Sequence, residues 1–198
     1  SRAEYGIMRR LLKKLDEDKN IQLDIVVTGM HLMKEYGETF KEVEKDFNVI
    51  EKIDIEIANS NNYDVLHSMS LAMEKFAKFF LNNKYDAVML LGDRYEILPV
   101  AIVSAINNIP LIHIHGGEKT LGNYDEFIRH SITKMSKLHL VATDEYRNRV
   151  IQLGENPETV KNVGSLGVAN AMELELLSKK ELENKLGNFS KPYFVVLF

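Results

Sequence analysis

The chain has 198 residues, a formal net charge of −4 and no cysteine. This length suits one domain with enough residues to bury a core, and the 45% hydrophobic content is typical of a globular protein. The slightly acidic balance gives no general attraction to nucleic acid or to an anionic membrane, and the lack of cysteine excludes disulfides and thiol chemistry. No apolar run approaches the roughly 20 residues that span a bilayer. We therefore expect a cytoplasmic protein without nucleic-acid or membrane partners.

Apolar spacing predicts an alternation of strands and helices along the whole chain. Strands are predicted at 23–27, 49–55, 86–91, 110–114, 138–142, 159–163 and 193–198. Helices are predicted at 4–18, 33–45, 63–82, 95–107, 126–136, 144–153, 166–176 and 179–186. This order indicates an α/β fold with a doubly wound, mostly parallel, Rossmann-like sheet and right-handed crossovers.

Two of the predicted helices have an apolar face that we expect to point into the core. In helix 63–82 this face carries Leu66, Met69, Met73, Phe76, Phe80 and Leu81. In helix 126–136 it carries Phe127, Ile128, Ile132 and Met135.

The two ends of the sequence indicate a piece of a longer protein. The segment SRAEYG at 1–6 enters a helix as a loop after a strand would, and a strand-like run ends the chain. We expect residues 1–187 to form an N-terminal Rossmann-like domain whose first strand is missing. Residues 188–198 would then be a linker and the first strand of a truncated C-terminal domain. The alternative is that both ends are frayed apolar termini.

Two predicted strands end in glycine and charge. GDR at 92–94 follows strand 86–91, and HIHGGE at 113–118 completes strand 110–114. Ligands of open α/β sheets bind beyond the carboxyl ends of the strands, so these segments predict a site there. Asp93 is a candidate for acid/base chemistry or for orienting a sugar hydroxyl. Its alternative role is a cap of the following helix.

His113 and His115 alternate along one strand and should share a face. A strand buried on both sides seldom carries two histidines without a partner, so they are either site residues or hydrogen-bonded core histidines. Gly117 would let the backbone approach a ligand closely. The residue types allow a metal, but the usual ligand spacing is absent and we expect none.

Asp125 and Arg129 are four residues apart at the start of helix 126–136, which is the spacing of a surface ion pair. The N-terminus of this helix could instead face an anion. Asp125 could then reach the same cavity as Glu118 and Asp93, where neighbouring carboxylates shift one another's pKa values as acid/base catalysis requires.

Two further residues precede helices at predicted strand ends. Arg2 stands where phosphate binds in many nucleotide-binding α/β folds, and His31 follows strand 23–27. Each has the alternative of a solvated surface residue. The chain has neither G-x-G-x-x-G nor a Walker A motif, so a classical dinucleotide or P-loop site has no support.

Taken together, these motifs resemble the UDP-N-acetylglucosamine 2-epimerase family, in particular its hydrolysing branch in sialic-acid-type sugar biosynthesis. The matching segments are SRAEYG at 1–6, TGMH at 28–31, GDR at 92–94, HIHGGE at 113–118, DEFIRHSITKMS at 125–136, ATDEY at 142–146 and NVG at 162–164. The resemblance covers nearly the whole chain.

The resemblance implies the N-terminal half of a GT-B-like two-domain fold, with the active site between two Rossmann-like domains. It implies removal of the C2 proton of a nucleotide sugar, expulsion of UDP through a glycal, and addition of water to C1 as C2 is reprotonated on the other face. The products would be N-acetylmannosamine and UDP. Neither cofactor nor metal is expected, and this chain alone should be inactive because the second domain supplies further contacts.

Matching the motifs position by position assigns the site residues. The acid/base candidates are Asp93, His115, Glu118 and Asp125. The substrate-binding candidates are Arg2, His31, Arg94, His113, Gly117 and Arg129. Many relatives carry a glutamate where His115 stands, so either His115 or Glu118 takes its role.

Three alternatives stay open at the level of function. The substrate could be a 2,4-diacetamido-trideoxy sugar nucleotide, the protein could be a GT-B glycosyltransferase, or it could be a non-catalytic α/β binding domain. Relatives in this family are often homodimers. Helix 63–82 is accordingly a candidate interface or a core helix.

Overall fold

The computed structural model describes residues 2–58, 61–173 and 176–188. The helices are α1 (Arg2–Asp16), α2 (Phe40–Asp46), α3 (Asn62–Asn82), α4 (Leu98–Ile106), α5 (Asp125–Met135), α6 (Asp144–Gln152), α7 (Leu166–Glu173) and α8 (Lys179–Leu186). The strands are β1 (Ile25–Thr28), β2 (Val49–Ile53), β3 (Val88–Leu91), β4 (Leu111–Ile114), β5 (Leu138–Val141) and β6 (Val160–Asn162). The predicted strand 193–198 lies outside the described residues.

Every described strand pairing is parallel, which confirms the predicted α/β class. Strands β3, β4, β5 and β6 form one sheet in that order, and β1 pairs with β2 in a second sheet. Leu91 pairs with Ile114, so β3 and β4 end at the same level. The loops that follow these two strands are therefore neighbours.

A cavity of about 180 Å³ lies between the edges of β1 and β3. All four residues of β1 and residues 89–91 of β3 line it. Side chains alternate between the two faces of a strand, so consecutive lining residues mean that the cavity borders the strand edges. The strand that was predicted to precede this chain stays a prediction.

The main core lies between the four-stranded sheet and helices α3, α4 and α5. Ala72, Phe76 and Phe80 of α3 are buried in it, spaced four residues apart on one face. Three residues that were predicted to share this face are exposed instead, and they are Leu66, Met73 and Leu81. Met73 and Leu81 each follow a buried residue of this face, and successive helical residues point about 100° apart.

The burial of α5 corrects a second packing prediction. Ile128 and Ile132 are buried, but Phe127 is 61% exposed. A residue adjacent to Ile128 points about 100° away from it around a helix, so both cannot face the core equally.

Two helices begin several residues later than predicted. The predicted helix 33–45 begins only at Phe40, because short 3₁₀ turns precede it and Gly37 takes a left-handed φ of 81°. Helix α4 begins at Leu98 rather than at residue 95, with Pro99 in its first turn. Proline suits that turn because its missing N–H has no partner there anyway.

Candidate functional site

The site lies at the carboxyl ends of β3 and β4, next to α5. Gly92 N–H donates to the carbonyl of Ile114 at 3.0 Å, and His115 N–H donates to the carbonyl of Leu140 at 2.9 Å. These bonds continue the sheet pattern for one residue beyond β3 and β4. They fix where the charged residues of both loops begin.

Arg129 of α5 holds the two loops together. Its side chain is only 5% exposed and forms an ion pair with Asp93. The same guanidinium donates from Nη1 to the carbonyl of Glu118 at 2.8 Å and from Nη2 to the Thr120 hydroxyl at 2.7 Å. Burial lowers the pKa of the Arg129 guanidinium, but its charge is retained and is compensated by Asp93. Arg129 thus fixes the relative positions of the two loops from the buried side of the site.

Asp93 has a different local role from the predicted helix cap. Helix α4 starts five residues later, and Asp93 pairs with Arg129 instead. Its carboxylate remains 21% exposed, so it can still meet a ligand. The surface pair between Asp125 and Arg129, which was the alternative to a site role, is not formed: Asp125 accepts a hydrogen bond from the Asn123 side chain at 2.8 Å.

His115 and Glu118 form a second pair in the same loop. His115 Nδ1 lies 2.9 Å from Glu118 Oε1, and the side chains are 18% and 30% exposed. His115 has a left-handed φ of 63°, a conformation that is uncommon for residues other than glycine. Because it lies beyond the end of β4 with this backbone, His115 does not share a face with His113 as predicted.

The structure corrects the predicted substrate contact of His113. This side chain is fully buried, with Nε2 2.8 Å from the carbonyl of Gly92 and Nδ1 3.1 Å from the Thr133 hydroxyl. Burial lowers the pKa of His113 to about 4, although the bond to Gly92 partly opposes that shift. His113 is a neutral core residue that joins β3, β4 and α5.

Gly117 permits a close approach of its loop to helix α6. A Cβ at Gly117 would lie 2.5 Å from the carbonyl oxygen of Tyr146 in α6. The Gly117 carbonyl also accepts a hydrogen bond from Arg149 of the same helix. The glycine therefore docks the loop on α6, and its role in substrate binding stays a prediction.

The three candidate carboxylates each have a different partner in the structure. Within the described residues, Asp93 pairs with Arg129, Glu118 with His115, and Asp125 with Asn123. Each carboxylate thus has its own hydrogen-bond donor.

His31 and Arg94 line the cavity between β1 and β3. Arg94 donates from Nη2 and Nε to the two carboxylate oxygens of Glu96, at 2.8 and 3.2 Å, and Glu96 is buried. His31 Nδ1 lies 2.8 Å from the Thr39 hydroxyl. Arg2 begins α1, and its side chain lies outside the described part of the chain. Because Asp93 and Arg94 are adjacent, this cavity adjoins the site around Arg129.

Several residues that shape the site were not predicted from the sequence, namely Glu96, Glu126, Thr133 and Arg149. Glu126 accepts the Thr120 N–H at 2.6 Å, and this bond lowers the pKa of its carboxyl. Arg149 is spaced four residues from Glu145 and reads as a surface pair, which it also forms at 2.6 Å. The sequence carries no signal that its other contact reaches Gly117.

The site holds the side chains that acid/base chemistry needs. It offers two partly exposed carboxylates, of Asp93 and Glu118, each with a donor that orients it. Among the residues described, no group of three histidine, aspartate or glutamate side chains has the geometry to hold a metal. In the same part of the chain, no helix is both long and apolar enough to cross a membrane.

Fold and site together define a Rossmann-like α/β domain with a charged site at the strand ends. The sequence profile of UDP-N-acetylglucosamine 2-epimerases matches residues 13–198, and the chain belongs to that family.

Relatives and solved structures agree with this membership. The chain is 62% identical to polysialic acid biosynthesis protein P7 of Escherichia coli over all of its length and 51% of that protein. It is 46% identical to the GDP/UDP-N,N'-diacetylbacillosamine 2-epimerase (hydrolyzing) of Campylobacter jejuni, over 94% of this chain and 48% of that protein. The fold matches the crystal structure of UDP-GlcNAc 2-epimerase from Neisseria meningitidis bound to UDP-GlcNAc. That match has a TM-score of 0.75 and 18% identity, and it covers 93% of this chain and 51% of the other. The chain thus spans about half the length of its relatives.

Proposed function

We propose that the whole protein is a hydrolysing 2-epimerase that converts UDP-N-acetylglucosamine to N-acetylmannosamine and UDP. The observation that carries this proposal is the pair of oriented carboxylates, Asp93 and Glu118, joined through Arg129 at the ends of β3 and β4. Membership of the epimerase family supports the reaction class. The similarity to the polysialic acid biosynthesis protein supports the place of the product in sialic-acid-type synthesis.

The proposed chemistry needs a base, a leaving group and water. A carboxylate takes the C2 proton, the C2–H electron pair becomes the C1–C2 double bond, and the C1–O pair leaves with UDP. Water then adds its oxygen to C1 while a proton reaches C2 from the opposite face. A C2–H is very weakly acidic, so the base must lie within hydrogen-bond reach of it. Asp93, Glu118 and Asp125 are the proposed acid/base groups.

We propose that the cavity beside His31 and Arg94 belongs to the nucleotide side of the site, together with Arg2. Arg94 keeps about a third of its side chain exposed although Glu96 holds it in place. A guanidinium can stabilise the negative charge of the departing diphosphate. No metal or cofactor is invoked in this reaction.

A second substrate has specific support. The Campylobacter jejuni relative is named for a diacetylbacillosamine nucleotide. The family resemblance also implies that many members carry a glutamate where His115 stands. A 2,4-diacetamido-trideoxy sugar nucleotide is therefore the alternative substrate. We also propose a cytoplasmic location, which the absence of cysteine suits.

Product analysis without any acceptor tests this proposal. The whole protein, incubated in turn with UDP-N-acetylglucosamine and a UDP-2,4-diacetamido-trideoxy sugar, should release UDP and a free sugar inverted at C2 from one of them. Release that depends on an added acceptor would point to a glycosyltransferase and contradict the proposal. We expect this chain alone to be inactive, because it spans about half the length of its relatives.

We further propose that the whole protein is a homodimer. Exposed apolar side chains lie on three packed helices, with Leu66, Met73 and Leu81 on α3, Ile106 on α4 and Phe127 on α5. A groove of about 660 Å³ runs between α4 and α5, and its lining is mostly apolar. An exposed apolar surface across neighbouring elements is typical of a protein interface, and a second copy would bury the same patch on both subunits.

A further inference from the structure

The different burial of His115 and Glu118 indicates that the two residues have different roles. Glu118 is the more exposed of the two, at 30% against 18%. His115 Nε2 is buried and has no hydrogen-bond partner among the residues that the structure describes. A group that reacts with a sugar must touch it, and Glu118 is the more accessible member of this pair.

The environment of Nε2 also decides which tautomer His115 adopts. A buried N–H without a partner costs roughly 1–3 kcal/mol, so a proton on Nε2 is disfavoured. The proton then lies on Nδ1, where it donates to Glu118 Oε1 at 2.9 Å. His115 is thereby a donor with a fixed tautomer.

Both residues are held in place by the surrounding protein. The His115 N–H is bonded to the carbonyl of Leu140, and Arg129 binds the carbonyl of Glu118. The intervening glycines are also confined, because a Cβ at Gly116 would lie 3.1 Å from the His113 ring. These contacts hold the backbone of His115 at its left-handed φ, and in this conformation the ring lies beside Glu118.

We propose that Glu118 is the catalytic base of this pair and that His115 is its positioning residue. His115 Nδ1–H holds Oε1 and stabilises the ionised carboxylate, which leaves Oε2 to accept the C2 proton of the sugar. The C2–H electron pair forms the C1–C2 double bond as UDP leaves, as in the proposed function on which this inference rests.

The alternative assignment makes different demands. If His115 were the base, Nε2 would have to reach the sugar, and Glu118 would serve only to hold the ring. The two assignments therefore differ in which substitution removes proton abstraction.

A matched pair of variants at His115 distinguishes them. The amide nitrogen of asparagine occupies nearly the position of Nδ1, and asparagine tolerates a left-handed φ. His115→Asn should therefore keep the donor to Glu118 and most of kcat. The amide of glutamine occupies nearly the position of Nε2, so His115→Gln should leave Glu118 without its donor and lower kcat roughly 10-fold. Glu118→Gln should lower kcat by about 10²–10⁴, the usual contribution of a general base, with KM changed little.

The dependence of kcat on pH is a second readout. A purely structural role of His115 would not shift it. Loss of the donor makes the ionised carboxylate less favourable, so the acidic limb of kcat should move to higher pH in His115→Gln and stay in place in His115→Asn. The other charged groups around Glu118 are Arg129 and Glu126 of α5, Asp93 after β3 and Arg149 of α6, and all are unchanged in these variants. His67→Gln removes an exposed histidine 4.0 Å from Glu56 and is the matched control, with unchanged kcat.

A measurement without substrate keeps this inference separate from the proposed function. ¹⁵N NMR of the whole protein should show His115 as the Nδ1–H tautomer, and this preference should be lost in Glu118→Ala. An Nε2–H tautomer in the unmodified protein would overturn the proposal, whether or not any sugar nucleotide is turned over. Complete loss of C2 proton exchange in His115→Asn, with exchange retained in Glu118→Gln, would overturn it as well. Absence of turnover in the unmodified protein with both nucleotides would instead count against the proposed function.

Discussion

At the scale of single residues, Gly117 makes a close approach whose partner the sequence did not reveal. A glycine in HIHGGE suggests close approach to a ligand, and the structure shows close approach to the backbone of α6. The approach itself was predictable from the absence of a Cβ. Its partner was not, because Tyr146 lies 29 positions further along the chain.

Gly117→Ala should destabilise the domain more than Gly122→Ala. Both glycines have a left-handed φ, of 80° and 81°, but a Cβ at Gly122 meets nothing within 4 Å. Gly122→Ala should therefore cost about 1 kcal/mol for its backbone alone, and Gly117→Ala roughly 3 kcal/mol because of the added clash. Urea denaturation of both variants measures the difference. Equal losses would show that the loop does not pack on α6 as described.

Arg129 and Asp93 should respond unequally to substitution. Arg129→Met leaves the Asp93 carboxylate without its buried cation and removes the donors to Glu118 and Thr120, which should cost about 3 kcal/mol of unfolding free energy. Asp93→Asn keeps an acceptor for the guanidinium and should cost about 1 kcal/mol. Chemical denaturation compares the two directly. A larger loss in Asp93→Asn would contradict the central position of Arg129.

At the scale of elements, the sequence predicted most helices and strands well, because apolar periodicity reports local burial. Helix α3 was predicted at 63–82, and it begins at Asn62 and ends at Asn82. The errors have local causes: 3₁₀ turns delay α2, and Phe127 and Leu66 are apolar residues on exposed surfaces. Apolar spacing cannot distinguish a core residue from one that another surface covers.

Strands β4 and β5 place two buried histidines opposite each other, His113 and His139. Burial lowers the pKa of His113 to about 4, and it lowers the pKa of His139 despite the nearby Glu155. In the unfolded chain a histidine binds its proton near pH 6.5. Each of the two folded histidines binds its proton only at a lower pH. Stability is therefore fully present above about pH 6.5 and is lost as the pH falls toward 4, by about 3 kcal/mol for His113.

Unfolding free energies measured between pH 7 and pH 5 check this prediction. His139→Met removes one of the two buried histidines and should make the dependence on pH shallower. The control His67→Gln changes an exposed histidine and should leave it unaltered. A stability that is flat across this range in the unmodified chain would show that these histidines are not neutral in the fold.

At the scale of the whole molecule, the site could be located from the sequence, but the hydrogen bonds and ion pairs within it could not. Glycine and charge after apolar runs placed Asp93 and Glu118 at neighbouring strand ends, and both lie there. The contacts of Arg129 depend on the packing of α5 against two loops. No local spacing reveals that packing, and the i,i+4 pattern with Asp125 indicated a surface pair instead.

The proposed dimer predicts a selective effect of surface charge. Ile106→Lys on α4 should weaken self-association of the whole protein, because it places a charge in the apolar patch formed with α3 and α5. Met172→Lys changes a similarly exposed apolar residue on α7, away from this patch, and should have no effect. Sedimentation velocity over a range of concentrations measures both. A protein that stays monomeric throughout would contradict the proposed interface.

Proton NMR of the whole protein with its sugar nucleotide in deuterated water tests abstraction of the C2 proton most directly. UDP-N-acetylglucosamine is the first substrate to use, and the UDP-2,4-diacetamido-trideoxy sugar is the second. We predict UDP and a free, C2-inverted sugar carrying deuterium at C2, with both lost in Glu118→Gln. Release of UDP with the original hydrogen and configuration at C2 would contradict proton abstraction at this site.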